Sequence, residues 1–77
     1  MSMSTTRNDE GDLEDGARVG RFVVLRDVDG RRHATAVSGI LALSDADDGD
    51  TLLHLPAGRI LRVPYSLTTV LAWVEVR

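Results

Sequence analysis

The residues best equipped for chemistry are four aspartates around one glycine: Asp45, Asp47, Asp48 and Asp50. Clustered carboxylates are ligands that calcium accepts in flexible oxygen cages. An EF-hand loop, however, requires an acid or asparagine at its fifth position, glycine at its sixth and glutamate at its twelfth. Counted from Asp45, those positions hold Gly49, Asp50 and Pro56. We therefore predict a hydrated turn between two strands, because aspartate favours turns, and no metal site.

Candidate groups for zinc binding and for catalysis are few. The two histidines, His33 and His54, fall in different predicted hairpins, and the chain has no cysteine. This arrangement predicts neither a zinc site nor thiol chemistry. The sequence contains no G-x-S-x-G, P-loop or G-x-G-x-x-G motif, and a domain this small leaves little room for a water-excluding pocket. We expect no enzymatic activity and no cofactor.

Arginines on the predicted strands form a candidate nucleic-acid face: Arg26, Arg31, Arg32, Arg59 and Arg62, with Arg21 beside them. Such a face would bind phosphates. Residues 18–77, however, hold eight arginines against seven acids, a net charge of +1. Phe22, Tyr65 and Trp73 are the only aromatic residues, too few for a base-stacking platform. The preferred interpretation is a solvated sheet face, with nucleic-acid binding as an alternative.

The organisation of the chain is simple. Its 77 residues allow one domain. Residues 1–17 carry five acids and one arginine, a net charge of −4, and almost no large apolar group. Such a segment buries too little surface to fold alone, so we predict a disordered acidic tail before a domain at 18–77. No apolar run approaches the roughly 18 residues of a membrane span. The N-terminus lacks a hydrophobic signal segment, and we expect a cytoplasmic protein.

The domain begins with two predicted hairpins. Strands rich in β-branched and apolar residues flank an Asp-Gly turn at 27–30 and a Pro-x-Gly turn at 56–58. The strands of these hairpins are expected at 21–28, 31–37, 51–55 and 59–63. The apolar run at 39–43 fits either a short strand or a single turn.

A helix is predicted at the C-terminal end. Ser66 supplies a hydroxyl for its N-cap. Leu67, Val70, Leu71 and Val74 stand at i, i+3, i+4 and i+7, one face of a helix. Valines and an alanine also alternate over 70–76, which leaves a strand as the alternative.

The predicted fold class is α+β: two β-hairpins forming a small antiparallel sheet or partly open barrel with one C-terminal helix. The positions expected in the core are Val23, Leu25, Val37, Ile40, Leu53, Leu55, Leu61, Val63, Leu67, Val70 and Leu71. The edges of so small a sheet need cover, which a homodimer would provide.

Several segments together resemble the small flagellar FlbD/SwrD-like proteins. These are Asp-Gly at 29–30, Ile40, DTLLHLPAGRILRV at 50–63 and SLTTVLAWV at 66–74. That family has two hairpins with an N-G or D-G turn, a T-x-I-x-L-x-x-G-x-x-x-x-V segment and a closing amphipathic helix. The resemblance implies the same architecture and a flagellar role, with no catalytic residues. The acidic tail, the aspartate-rich loop and the arginine-rich sheet depart from the family.

We expect a non-enzymatic regulatory or adaptor protein that docks on another protein, with Tyr65 and Trp73 as amphipathic anchors. One alternative is a phage or mobile-element inhibitor of the anti-CRISPR type. In that case the acidic tail and the loop at 45–50 would imitate nucleic-acid phosphates in a basic groove. The other alternative is the nucleic-acid-binding module described above.

Overall fold

The computed structural model describes residues 13–75, which form two antiparallel three-stranded sheets and one C-terminal helix. The first sheet has the order β1-β2-β3, with β1 at Arg18–Val19, β2 at Phe22–Arg26 and β3 at Arg32–Ala36. The second has the order β4-β5-β6, with β4 at Ala42–Asp45, β5 at Thr51–His54 and β6 at Ile60–Val63. Helix α1 spans Leu67–Val74. The fold is α+β as predicted, and the sheets do not close into a barrel.

Both predicted hairpin turns are confirmed. Between β2 and β3, Asp27 Oδ1 accepts hydrogen bonds from the backbone N–H groups of Asp29 and Arg31, each at 2.9 Å. Gly30 completes this turn with a φ of 89°, which glycine adopts without a Cβ clash. Between β5 and β6, a 3₁₀ turn at Pro56–Gly58 connects the strands.

The segment between the two hairpins has more structure than the sequence pattern indicates. A 3₁₀ turn at Val37–Gly39 leaves the first sheet, and the chain then enters β4. A second 3₁₀ turn at Asp47–Gly49 joins β4 to β5. The aspartate loop is therefore a connection between strands, as predicted, but each sheet gains a third strand that two isolated hairpins would lack.

The folded region begins before the predicted boundary at residue 18. The Gly16 N–H donates to the Val24 carbonyl at 2.7 Å, and the Val24 N–H donates to the Ala17 carbonyl at 2.9 Å. These bonds lay residues 16–17 against β2, ahead of β1. Residues 1–12, the rest of the predicted tail, lie outside the described residues.

The core lies between one face of each sheet and the helix. Its fully buried side chains come from β2, β5, β6 and α1: Val23, Leu25, Leu53, Val63 and Val70. Alternate residues of a strand share one face, which is why Val23 and Leu25 are buried together. Leu53 lies opposite Leu61 across the β5–β6 ladder, as the hairpin pattern predicts. Val24, which the pattern did not single out, is also buried.

The helix forms as predicted, with one correction to its buried face. The Thr69 N–H donates to the Ser66 hydroxyl at 3.2 Å, which confirms the N-cap. Leu71, expected in the core, is 50% exposed. Val74, on the predicted face, packs against the core, and so does Trp73, which lies off that face. At 3.6 residues per turn, a helix rotated to place the large Trp73 ring on the core turns Leu71 toward solvent.

Candidate functional site

The structure separates the arginines of the predicted nucleic-acid face. Arg26 and Arg32 lie opposite each other in the first sheet, and Arg62 lies on β6 of the second. Arg21, Arg31 and Arg59 lie in connections rather than on strands, so that part of the prediction is wrong. Arg31 and Arg59 each lie one residue before a strand, and their carbonyls accept hydrogen bonds from the N–H groups of Asp27 and Leu55, at 2.9 and 2.8 Å.

Arg62 is paired with the aspartate loop. Its Nε donates to Asp50 Oδ2 at 2.7 Å, and its Nη2 donates to the Asp47 carbonyl at 3.2 Å. The hydrogen bond to Asp50 raises the pKa of Arg62 above its ordinary value. One residue of the predicted basic face thus neutralises one residue of the predicted acidic cluster. The other loop acids, Asp45, Asp47 and Asp48, are exposed at this end of the second sheet.

The two predicted aromatic anchors contact each other. The rings of Tyr65 and Trp73 meet edge to face, with centroids 4.7 Å apart and planes at 73°. Both are partly buried against the core. Arg18 Nη1 donates to the Trp73 carbonyl at 3.2 Å, where a cation also complements the helix dipole. These contacts of the two rings stabilise the fold.

The sequence pattern did not predict two side-chain contacts of the histidines. His33 Nε2 lies 2.7 Å from Asp27 Oδ2, and His54 Nε2 lies 2.7 Å from the Ser44 hydroxyl. Both pairs depend on strand register, which residue types alone do not reveal. In the described part of the chain no carboxylate contacts His54, so the Ser44–His54 pair lacks the third group that orients a catalytic base.

Over residues 13–75, no three His, Asp or Glu side chains cluster in a way that would hold a metal ion. The helix in this range is too short to cross a membrane. A surface groove lies along β3.

Strand β3 is an edge strand with backbone groups that point away from the sheet. The Val37 N–H donates to the Arg21 carbonyl, and the Asp27 N–H donates to the Arg31 carbonyl, each at 2.9 Å. Residues 31, 33, 35 and 37 therefore bond to the β2 side, because backbone groups alternate along a strand. The N–H and C=O groups of Ala34 and the N–H of Ala36 point outward. They have no hydrogen-bond partner within residues 13–75.

A groove runs beside this edge. We name it the β3 groove; it encloses about 260 Å³ and is lined by residues 34–36, Gly39, Leu55, Pro56 and Arg59. Its walls come from both sheets, since β3 belongs to the first and residues 55–59 connect β5 to β6. The lining holds small and apolar groups, one threonine and one cation. Among the described residues, the Arg59 guanidinium forms no ion pair and no hydrogen bond.

This groove was not predicted from the sequence, because its two walls are about 20 positions apart and meet only in the folded chain. The one local signal was the Pro-x-Gly turn with an arginine after it, which places Arg59 immediately before β6. No family model, curated protein or solved structure matched the chain.

Proposed function

We propose that this chain is a non-enzymatic regulatory or adaptor protein that docks on another protein by pairing the open edge of β3 with an extended segment of its partner. The observation that carries the proposal is the outward backbone of Ala34 and Ala36 beside the β3 groove. Extended peptides bind in this way at exposed sheet edges in several domain classes. Main-chain hydrogen bonds supply affinity, and neighbouring pockets supply specificity.

The surroundings of the edge support strand addition. An edge with unpaired N–H and C=O groups is a template for another strand unless bulges, prolines or a cover block it. Residues 32–36 of β3 contain no proline or glycine, and the small Ala34 side chain is exposed. The outer edge of β6 differs, because the Arg62 carbonyl there accepts a hydrogen bond from the Val28 N–H at 3.0 Å.

The test uses a displayed library of peptides selected on the immobilised protein and on two variants. Ala34→Pro removes an outward N–H without removing a bond to β2, a position where an edge strand accepts proline. Ala34→Ser keeps that N–H and is the matched control. We expect selected peptides to bind the wild-type protein and Ala34→Ser but not Ala34→Pro.

Amide hydrogen exchange provides a second readout that does not depend on how the proline variant folds. A selected peptide added to the wild-type protein is expected to slow exchange at Ala34 and Ala36, whose amides point outward. Unchanged exchange at both amides, or peptides that bind Ala34→Pro as well as the wild type, would overturn the proposal.

No contact among residues 13–75 favours the two alternative functions over this one. The imitation of nucleic acid by Asp45, Asp47 and Asp48 stays a prediction, and so does nucleic-acid binding by the arginines. A flagellar role, a cytoplasmic location and a homodimer also stay predictions.

A further inference from the structure

We infer that the segment added to β3 carries a carboxylate that pairs with Arg59, two positions from an apolar side chain that enters the β3 groove. The inference rests on the proposed function and names the chemistry of the partner. It follows from the charge at the groove, the shape of its wall and the composition of β3 itself.

The charge at the groove is positive and uncompensated. Arg59 is exposed and lines the groove, and the lining contains no acid. Within the described residues its guanidinium has no ion-pair partner. A guanidinium presents several N–H donors in a planar fork that matches a carboxylate, so an incoming aspartate or glutamate is the side chain that fits this position best.

The wall beside Arg59 is apolar. Leu55 is buried and Pro56 is exposed, and both line the groove. In an added strand, residues two apart point to the same face. A segment with an apolar residue at one position and a carboxylate two positions away therefore presents both to the groove at once.

A second copy of this chain fits the edge less well. An antiparallel pairing of two β3 strands about Ala34 would place the partner's Arg32 opposite Ala36, which lines the same groove as Arg59. Residues 31–33 of β3 are Arg-Arg-His and include no acid. Like charges across an interface are unfavourable, so the fit is to an acidic segment of a different protein.

The test compares two displayed libraries that are identical except at one position. Each has a fixed valine, followed two positions later by a fixed aspartate in one library and a fixed lysine in the other. We expect the wild-type protein to enrich the aspartate library about tenfold over the lysine library, a ratio equivalent to roughly 1.4 kcal/mol. Arg59→Glu is expected to reverse this preference. Arg21→Glu, an exposed arginine outside the groove, should leave it unchanged.

The outcomes separate the inference from the proposed function. If Ala34→Pro abolishes binding of both libraries while Arg59→Glu changes nothing, strand addition stands and the carboxylate inference is wrong. If Arg59→Glu reverses the preference but Ala34→Pro binds normally, acids bind at Arg59 without strand addition and the proposed function is wrong. If the wild-type protein dimerises in light scattering and Ala34→Pro does not, the edge is occupied by a second copy and the inference is overturned.

Discussion

The indole ring of Trp73 lies directly over the backbone of Gly16. A Cβ atom at position 16 would come within 2.3 Å of Trp73 Cε2, and Gly16 has a φ of +87°. This contact links the segment before β1 to the C-terminal helix. Arg18 reinforces the link from β1, through its hydrogen bond to the Trp73 carbonyl. The two ends of the described chain thus stabilise each other.

Gly16→Ala is expected to destabilise the fold, because the added methyl overlaps the indole and the backbone conformation disfavours a side chain. Overpacking of this kind costs about 1–3 kcal/mol, and the left-handed backbone adds roughly 1 kcal/mol. Urea unfolding followed by fluorescence measures the change, since Trp73 is the only tryptophan. Its emission should also shift in the folded state, as the ring is displaced.

The control for this change is Gly30→Ala. Gly30 has nearly the same φ, +89°, but an added Cβ there meets no atom within 4 Å. Gly30→Ala should therefore lower the free energy of unfolding only by the cost of the left-handed backbone conformation. In a Trp73→Ala background, Gly16→Ala should lower the free energy of unfolding by no more than Gly30→Ala does. Equal costs for the two glycine substitutions in the wild-type background would show that the overlap with Trp73 has no energetic effect.

Asp15→Asn is expected to lower the pKa of Tyr65. Burial of the phenol, and then the nearby Asp15 carboxylate, raise the pKa of Tyr65 to about 12. The hydroxyl is buried without a well-aligned hydrogen bond inside the described part of the chain. Removing the Asp15 charge leaves only burial to raise the pKa. Because Tyr65 is the only tyrosine, the ultraviolet absorbance of tyrosinate reports it directly.

The raised pKa of Tyr65 also predicts that the stability of the fold decreases at alkaline pH. A raised folded-state pKa contributes stability below the unfolded value of 10.0, and this contribution is lost as the pH rises through about 12.

The control for Asp15→Asn is Glu14→Gln, at an exposed neighbouring acid. It should leave the midpoint of the Tyr65 titration unchanged. An identical midpoint in Asp15→Asn and the wild type would contradict the assigned role of Asp15.

Much of the fold could be predicted because its signals are local. These signals are the Asp-Gly and Pro-x-Gly turns, the apolar runs along β2 and β5 and the Ser66 cap, and each depends on residues a few positions apart. Their physical causes, backbone freedom at glycine and hydrogen bonding by short polar side chains, act before any tertiary contact forms. The hairpins and the helix therefore follow from the sequence pattern.

The site could not be predicted because its contacts are tertiary. Arg62 and Asp50 meet only through strand register, and the β3 groove forms only where the two sheets come together. The exposure of Leu71 depends on how far Trp73 rotates the helix. Strand β1 has only two residues, which is too short for a hydrophobic pattern to predict it.

Thr51→Val is expected to destabilise the protein even though it nearly preserves the shape of the side chain. Thr51 is fully buried, and its hydroxyl donates to the Tyr65 carbonyl at 2.7 Å. Valine would leave that carbonyl without its donor, a loss of about 1–3 kcal/mol. Urea unfolding of Thr51→Val and of Thr51→Ser measures the contribution.

Thr51→Ser keeps the donor and removes one methyl group, which costs roughly 0.8 kcal/mol. The serine variant should therefore be the more stable of the two. A valine variant as stable as the wild type would show that water satisfies the Tyr65 carbonyl.

Asp27→Asn is expected to remove part of the protein's sensitivity to acid. The contact with His33 and the Arg31 backbone N–H lower the pKa of Asp27 below its ordinary value of 3.8. A lowered folded-state pKa contributes stability above the unfolded value, and this contribution is lost as the pH falls through the folded value. The wild type should therefore exceed Asp27→Asn in stability near neutral pH, and the difference should shrink below about pH 4.

Urea unfolding at neutral pH and at roughly pH 3 measures this difference, with Trp73 fluorescence as the readout. Asp29→Asn, an exposed acid two positions away in the same turn, is the control and should behave like the wild type at both pH values. The carboxylate of Asp27 holds the turn through two backbone N–H groups and the His33 ring. The ionised form accepts these bonds more strongly than the protonated form does. A stability difference that stays constant across this range would mean that the shape of the side chain, rather than its charge, holds the β2–β3 turn.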